Sequence, residues 1–274
     1  MHILGEQPDI FWHNQRRDQI ATFVRAQGVV LLPTGAIEQH GPHLPVSTDI
    51  CSSTVIAAEA ARRVREFPVL VAPPVWWGLS PYHMVFPGTI TLRAETLTEL
   101  LVDISTSLTH HGVRSLVFVN GHGGNAALLE ALCIRLATQG IPAAALSYWN
   151  IIPEAMRVIA SADAGNIGHA GEAETSLQLH LQPDLVDATL VTPDVVRAFE
   201  TGNGRGHNEG VLMAGAYTPP NMLAESSAGV LGDPTAASVD KGARLLDAAA
   251  DRLAEFVRRY RARTLTQVTA AQAV

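Results

Sequence analysis

The chain has 274 residues, of which 47% are apolar, and a formal net charge of −7. That much apolar sequence can bury a substantial core, while the acidic balance argues against nucleic acid or an anionic membrane as a partner, since both are held by Lys and Arg neutralising phosphate. Cys51 and Cys133 are the only cysteines and offer no disulfide framework, and with Lys241 as the only lysine no Gly-x4-Gly-Lys-Ser/Thr phosphate loop can be written.

Asn14 to Gln27 reads as a helix with Ile20, Phe23 and Val24 on one side. Val29 to Leu32 is a short apolar run of the kind that makes a strand covered on both faces. A turn-rich loop from Pro33 to Ser47 follows, and Ser47 or Thr48 can cap the next helix, which runs to about Phe67. Val69 to Ala72 is predicted as a second strand, then Pro73-Pro74 opens a long loop. Glu95 to His111 reads as a helix and Ser115 to Val119 as a third strand. Asn120-Gly-His-Gly-Gly-Asn125 leads into a helix ending near Gln139, and Ile141 to Ser147 is a fourth strand. Strand and helix thus alternate four times with short connections, which predicts an α/β fold with a mainly parallel sheet covered by helices on both faces. Further on, a helix containing Glu174 to Leu181 stops at Pro183. A glycine-rich loop spans Gly202 to Gly210, a final helix runs from about Thr235 to Arg261, and residues 263–274 are expected to be a frayed tail. No repeat or linker divides the chain, so a single domain over 1–274 is expected. No run approaches the roughly 20 apolar residues of a membrane span, and the N-terminal segment does not read as a signal peptide, so a cytoplasmic location is expected.

Histidine is the unusual entry in the composition, with eleven residues. In open α/β sheets, ligands bind at the carboxyl ends of the strands, and two histidine-bearing loops begin there. In the first, Glu38 and His40 are two apart, so in extended backbone both point to one side. Asp49 returns at the start of the following helix. The second loop places His122 directly after a strand, between glycines that allow close backbone approach. This mixed nitrogen and oxygen set suits Zn²⁺, Mn²⁺ or Fe²⁺. An aspartate shared between two ions about 3.5–4 Å apart would make a two-metal hydrolytic centre. In a third cluster, Gly168 to Ser176, His169 and Glu172 are three apart and can share a helical face, with Glu174 pointing elsewhere as a group that orients its neighbours. The same acids also suit a helix N-terminus for its dipole alone. His207 and Glu209 repeat the spacing of Glu38 and His40, but no strand precedes them and they read as solvated loop. Trp76, Trp77 and Tyr82 suit a pocket mouth and a subunit contact equally.

Glu-Gln-His-Gly-Pro-His-Leu-Pro at 38–45, Thr-Asp at 48–49, Phe-Pro-Gly-Thr at 86–89, Asn-Gly-His-Gly-Gly-Asn at 120–125 and His-Ala-Gly-Glu-Ala-Glu-Thr-Ser at 169–176 resemble the creatininase family, as does Gly-Val-Leu-Gly-Asp-Pro-Thr at 229–235. The motifs occur in family order from about residue 10 to 262. The resemblance implies a three-layer α/β/α fold, two divalent metal ions, and a homo-oligomer, often a hexamer built as a trimer of dimers. It implies Glu38, His40, Asp49 and His122 as metal ligands with Asp49 bridging, and His169 and Glu174 as catalytic residues. His83, Trp149 and Asn125 are carried as substrate contacts. His83 also suits a purely structural part in its loop. Two departures stand out. Creatininases proper have Tyr-Glu at the positions of Gly123-Gly124, and that Glu binds the second metal; Glu172 is expected to replace it as a fifth ligand. The aromatic cover over creatinine is halved, because Trp149 matches one tryptophan while the other falls at Gly165. This argues against creatinine itself.

The expected function is hydrolysis of an amide-like C–N bond in a small cyclic or related substrate, with metal-activated water as nucleophile and His169 passing a proton to the leaving nitrogen. A peptidase or deformylase on the same metals is the principal alternative. A serine hydrolase would need a Gly-x-Ser-x-Gly elbow, which the sequence lacks.

Overall fold

A computed structural model describes residues 9–159, 168–192, 222 and 226–272. Four strands, β1 (Val29–Thr34), β2 (Val69–Val71), β3 (Leu116–Asn120) and β4 (Ala143–Ser147), form one parallel sheet in the order β2-β1-β3-β4. They alternate with helices α1 (Arg17–Arg25), α2 (Thr48–Arg63), α3 (Ala94–His110) and α4 (Ala126–Thr138). Beyond β4 come α5 (Pro153–Ile159), α6 (Glu172–Leu181) and the long α7 (Val239–Gln272).

Successive strand residues point to opposite faces, and the burial follows that rule. Val29, Leu31, Val117 and Val119 pack with Ile56 of α2, Leu177 of α6 and Leu245, Leu253 and Val257 of α7. Val30, Leu32, Leu116 and Phe118 pack instead with Phe23 of α1, Leu97 and Leu101 of α3, and Leu129, Leu132 and Leu136 of α4. These are the three expected layers. Among the described residues no helix is long and apolar enough to cross a membrane.

Two local expectations are corrected, and a third falls outside the described residues. The last helix does not stop near Arg261 but continues to Gln272, through most of the stretch expected to be a tail. Its extension is tied to the sheet where buried Thr264 shares a hydrogen bond with Ser115 (2.6 Å). Neither Ser47 nor Thr48 caps α2 through its side chain; the Thr48 hydroxyl donates back to the Pro45 carbonyl instead (2.7 Å). The loop bearing His207 and Glu209 lies outside the described residues.

The chain leaves β1 toward β2 on one side and returns to β3 on the other, so β1 and β3 are neighbours whose connections diverge. Such a switch point opens a crevice at the carboxyl ends of the strands. The start of α2 is set into that crevice. A Cβ on Gly121 would stand 2.2 Å from the Asp49 carbonyl oxygen, and one on Gly35 would stand 2.7 Å from the Ile50 backbone. Two glycines therefore let Asp49 seat directly on the ends of β1 and β3. Gly121→Ala is expected to cost about 2 kcal/mol or more, because backbone rather than a flexible side chain must yield; urea melts that coincide with wild type would contradict this.

Candidate metal centre

Glu38 and His40 follow β1, His122 follows β3, and Asp49 sits in the first turn of α2; all four are at most 3% exposed. Each histidine is oriented by a backbone carbonyl at one nitrogen. His122 Nε2–H donates to Leu79 O (3.1 Å) beside the Ser80 hydroxyl, and His40 Nδ1–H donates to Glu38 O (3.0 Å). The remaining nitrogen of each ring is then the one left to take a proton or a metal ion. His122 Nδ1 lies 3.0 Å from Asp49 Oδ2 and 3.1 Å from Glu38 Oε2, whereas His40 Nε2 lies 3.1 Å from Asp49 Oδ1. Asp49 thus offers one oxygen to each histidine.

A ring nitrogen this close to a carboxylate oxygen needs a proton or a metal ion between them. Asp49 Oδ2 and Glu38 Oε2 are buried and make no hydrogen bond among the described residues, although both lie close to His122 Nδ1. The electrostatics express the same demand. Burial opposes charge on both histidines, yet the Asp49, Glu174 and Glu38 carboxylates hold His40 up at about 10. Glu38, Asp49 and a neighbouring Tyr82 similarly hold His122 well above its usual range. Glu38, despite its burial, is held well below the usual carboxylate range by His122, His83 and His169. A proton or a divalent ion satisfies the demand at each nitrogen, and the nitrogen and carboxylate donors suit the ion. The residues present therefore fit a divalent metal centre.

Two further groups close the pocket. His83 is 3% exposed, and its Nε2 lies 3.4 Å from Glu38 Oε1. Its Nδ1 accepts from Gln39 Nε2 (3.0 Å), and burial together with nearby His122 and His40 pushes it down to about 4. His169 Nε2–H donates to Gln39 O (2.8 Å), and its Nδ1 lies 3.5 Å from Glu38 Oε1. Three overlapping trios have donor atoms all within 4.8 Å of one another: Glu38, His40 and Asp49; Glu38, His83 and His169; and His40, His169 and Glu174.

The carboxylate that joins His40 is Glu174, not Glu172. Glu174 Oε2 lies 3.6 Å from His40 Nε2 and accepts the Ala170 amide (2.6 Å). Burial and the Asp49 and Glu38 charges, against the pull of His40, hold it up at about 7. Glu172 is fully buried and pairs with Lys241 Nζ, which also donates to Ala236 O (2.7 Å). Glu172, expected as a fifth ligand, is paired with Lys241 in this structure, and His169 and Glu172 do not share a helix. Ala170 turns the chain with a left-handed φ of 54°, and α6 begins only at Glu172. The three-residue spacing rule holds inside a helix and not across its start.

At the position that carries the second-metal Glu in creatininases, a side chain would force the backbone to shift here. A Cβ on Gly124 would stand 2.3 Å from Leu79 O and 2.6 Å from the Tyr82 hydroxyl. Asn125, expected at the substrate, is hydrogen-bonded into the frame: its amide donates to Gly35 O (3.0 Å) and Asn120 Oδ1 (3.4 Å), and its oxygen accepts from Leu79 N (3.0 Å). Trp149 packs edge-on against Tyr148 with ring centroids 5.0 Å apart. Gly165 lies outside the described residues. Gln39 carried no signal in the sequence, because it points opposite to Glu38 and His40 along the same extended segment. Its amide joins His83 Nδ1 to the Gly229 carbonyl (2.9 Å), and its oxygen accepts from Gly41 N (2.9 Å).

Glu174→Gln is expected to lower divalent-metal content with little effect on folding. Glu172→Gln should leave metal content intact but cost about 2 kcal/mol by stranding Lys241, a figure reduced because the lysine is partly exposed. Mass spectrometry of bound metal and urea melts separate the two outcomes; the reverse pattern would restore Glu172 as a ligand. A second expectation concerns acid. His43 is buried beside His40 with its Nδ1 unpartnered among the described residues, and burial and that neighbour push it down to about 4. The unfolded chain takes up this proton near 6.5 and the folded one only near 4. Stability is therefore lost as pH falls through that window. Metal-free wild type should lose more stability there than His43→Gln, and parallel pH profiles would refute the assignment.

A profile of the creatininase family, described as creatinine amidohydrolase, matches residues 13–257. Mycofactocin precursor peptide peptidase of Mycolicibacterium smegmatis is 36% identical over 238 residues, 85% of each chain. Creatinine amidohydrolase of Pseudomonas putida is 29% identical over 246 residues, 84% of this chain and 88% of that one. A crystal structure of creatinine amidohydrolase (creatininase) superposes with a TM-score of 0.75 at 28% identity, covering 93% of this chain and 99% of that one. Fold, site motifs and relatives agree: this chain belongs to the creatininase family and is a hydrolase of that family.

Proposed function

We propose that the protein is a divalent-metal-dependent hydrolase of an amide C–N bond, and that its substrate is a peptide or peptide-like amide. The observation that carries this reading is the pair of imidazole nitrogens, His122 Nδ1 and His40 Nε2, facing the two oxygens of buried Asp49. Divalent ions held by Glu38, His40, Asp49, His122 and Glu174 would supply Lewis acidity, activating water and drawing charge from the scissile carbonyl. His169 is placed for proton transfer. Its Nε2–H is committed to Gln39 O, so Nδ1 is the atom that takes a proton and hands it to the leaving nitrogen. Glu38, 3.5 Å from that Nδ1, stabilises the imidazolium while it exists.

The peptide reading is supported by the mycofactocin precursor peptide peptidases, 34–36% identical over 79–85% of this chain. The small cyclic amide expected from the motifs is the second reading, favoured by Trp149 and by the 29% identical creatinine amidohydrolase. Homo-oligomer formation is part of the proposal: Trp76 and Trp77 are 37% and 45% exposed, and Val85 and Ile90 are exposed in the same loop, which supplies apolar contact area.

The test is chelation followed by reconstitution with Zn²⁺ or Mn²⁺ and assay against creatinine, cyclic ureides, formamides and short peptides. Metal-restored cleavage of a peptide, with negligible turnover of creatinine, is expected. Activity that survives complete chelation would remove the metal from the account, and creatinine as the best substrate would remove the peptide.

A further inference from the structure

Gln39 stands between Glu38 and His40 in the chain and is itself buried. Its amide is clamped at both ends by backbone. Oε1 accepts from Gly41 N (2.9 Å), and Nε2 donates to Gly229 O (2.9 Å). A backbone N–H only donates and a backbone carbonyl only accepts, so these two bonds fix which end of the amide is which. The fit depends on Gly229, whose φ is left-handed at 73° and where a Cβ would stand 2.1 Å from Gln39 Oε1.

The hydrogens can then be counted. One hydrogen of Gln39 Nε2 is on Gly229 O, and the other faces His83 Nδ1 at 3.0 Å. His83 Nδ1 therefore accepts, so the ring is not an imidazolium and carries its single N–H on Nε2. His169 Nε2 also lies 3.1 Å from the same amide nitrogen, but no third hydrogen exists, and its own N–H donates to the Gln39 backbone carbonyl at 2.8 Å. The main chains are tied as well. Gln39 N donates to Thr89 Oγ1 (3.1 Å), and that hydroxyl donates to His83 O (3.3 Å). Gln39 thus holds His83 by its ring and by its backbone.

The consequence falls on Glu38. His83 Nε2–H faces Glu38 Oε1 at 3.4 Å, and His169 Nδ1, the atom given the proton above, approaches the same oxygen at 3.5 Å. Glu38 Oε2 makes no hydrogen bond among the described residues and lies 3.1 Å from His122 Nδ1. The two oxygens are divided, one toward a fixed donor and one toward the ion. Glu38, His83 and His169 have the spacing of a metal trio, with donor atoms within 4.8 Å of one another. Yet one nitrogen of His83 accepts a hydrogen bond and the other carries a hydrogen, which leaves no lone pair for an ion.

We propose that Gln39 is a positioning residue that sets His83 as an Nε2–H donor beside Glu38, which keeps His83 off the metal and leaves Glu38 Oε2 to bind it. This rests on the metal-hydrolase reading above and deepens it.

The test reads the tautomer itself, by long-range ¹H–¹⁵N NMR of the zinc-loaded full chain with labelled histidine. His83→Gln identifies the His83 signals, and zinc affinity is measured against a competing chelator. Wild type is expected to show His83 as a neutral Nε2–H ring. In Gln39→Glu the new carboxylate can only accept, so His83 should gain a hydrogen on Nδ1, and zinc affinity should fall about ten-fold, as loss of a group that orients a ligand does. A wild-type His83 that carries its hydrogen on Nδ1, or that binds zinc, overturns the assignment whether or not any variant folds. So does a His83 tautomer or a zinc affinity that Gln39→Glu leaves unchanged. Wild type that takes up no zinc fails differently, since that outcome removes the metal-hydrolase reading itself and the proposal with it.

Discussion

The site is organised by a charge demand that the protein's own uncharged groups cannot meet. Glu38 and Asp49 are buried with oxygens turned toward imidazole nitrogens whose hydrogens are committed elsewhere. A carboxylate taken from water is tolerated only with compensating charge or donors. Here the compensation is positive charge between the groups, which the raised His40 and His122 register as an appetite for protons. Backbone carbonyls choose the tautomers and so decide which ring nitrogens are left open, an arrangement characteristic of metal-binding histidines.

The fold makes this arrangement possible at small cost. Donors come from three places distant in sequence: the loop after β1, the first turn of α2 and the loop after β3, all brought to one crevice by the sheet order β2-β1-β3-β4. Gly35 and Gly121 remove the side chains that would hold α2 away, so Asp49 can reach both histidines. The fourth contributor, the segment from His169 to Glu174, arrives from the far side with α6, which packs on the sheet through Ala173 and Leu177. Buried Glu172 then faces Lys241 of α7 and fastens α6 to the long last helix. Of two carboxylates two residues apart, one serves the centre and the other serves the frame.

Much of this was legible in the residues alone. Apolar runs of four or five residues alternating with helix-length amphipathic stretches gave the parallel three-layer arrangement. Glu38, His40, Asp49 and His122 were legible because each sits at a strand end or helix start, where α/β sheets place ligands. What failed to read were features set by chain direction at one residue or by packing at a distance. The left-handed Ala170 breaks the periodicity that paired His169 with Glu172. Asn125 looks like a substrate contact in its motif, but its amide is used up holding Gly35 and Leu79 together. The final helix reaches past Arg261 because Thr264 finds Ser115, 149 residues away.

Membership of the creatininase family and the geometry of the centre meet at one quantity, the number of ions the buried donors hold. The most direct measurement is the metal-to-protein ratio of gently purified full-length protein, taken by elemental mass spectrometry. About two divalent ions per chain are predicted, one on each side of Asp49. A ratio clearly below one, not restored by incubation with Zn²⁺ or Mn²⁺, would mean that protons satisfy these histidines, and would contradict the account.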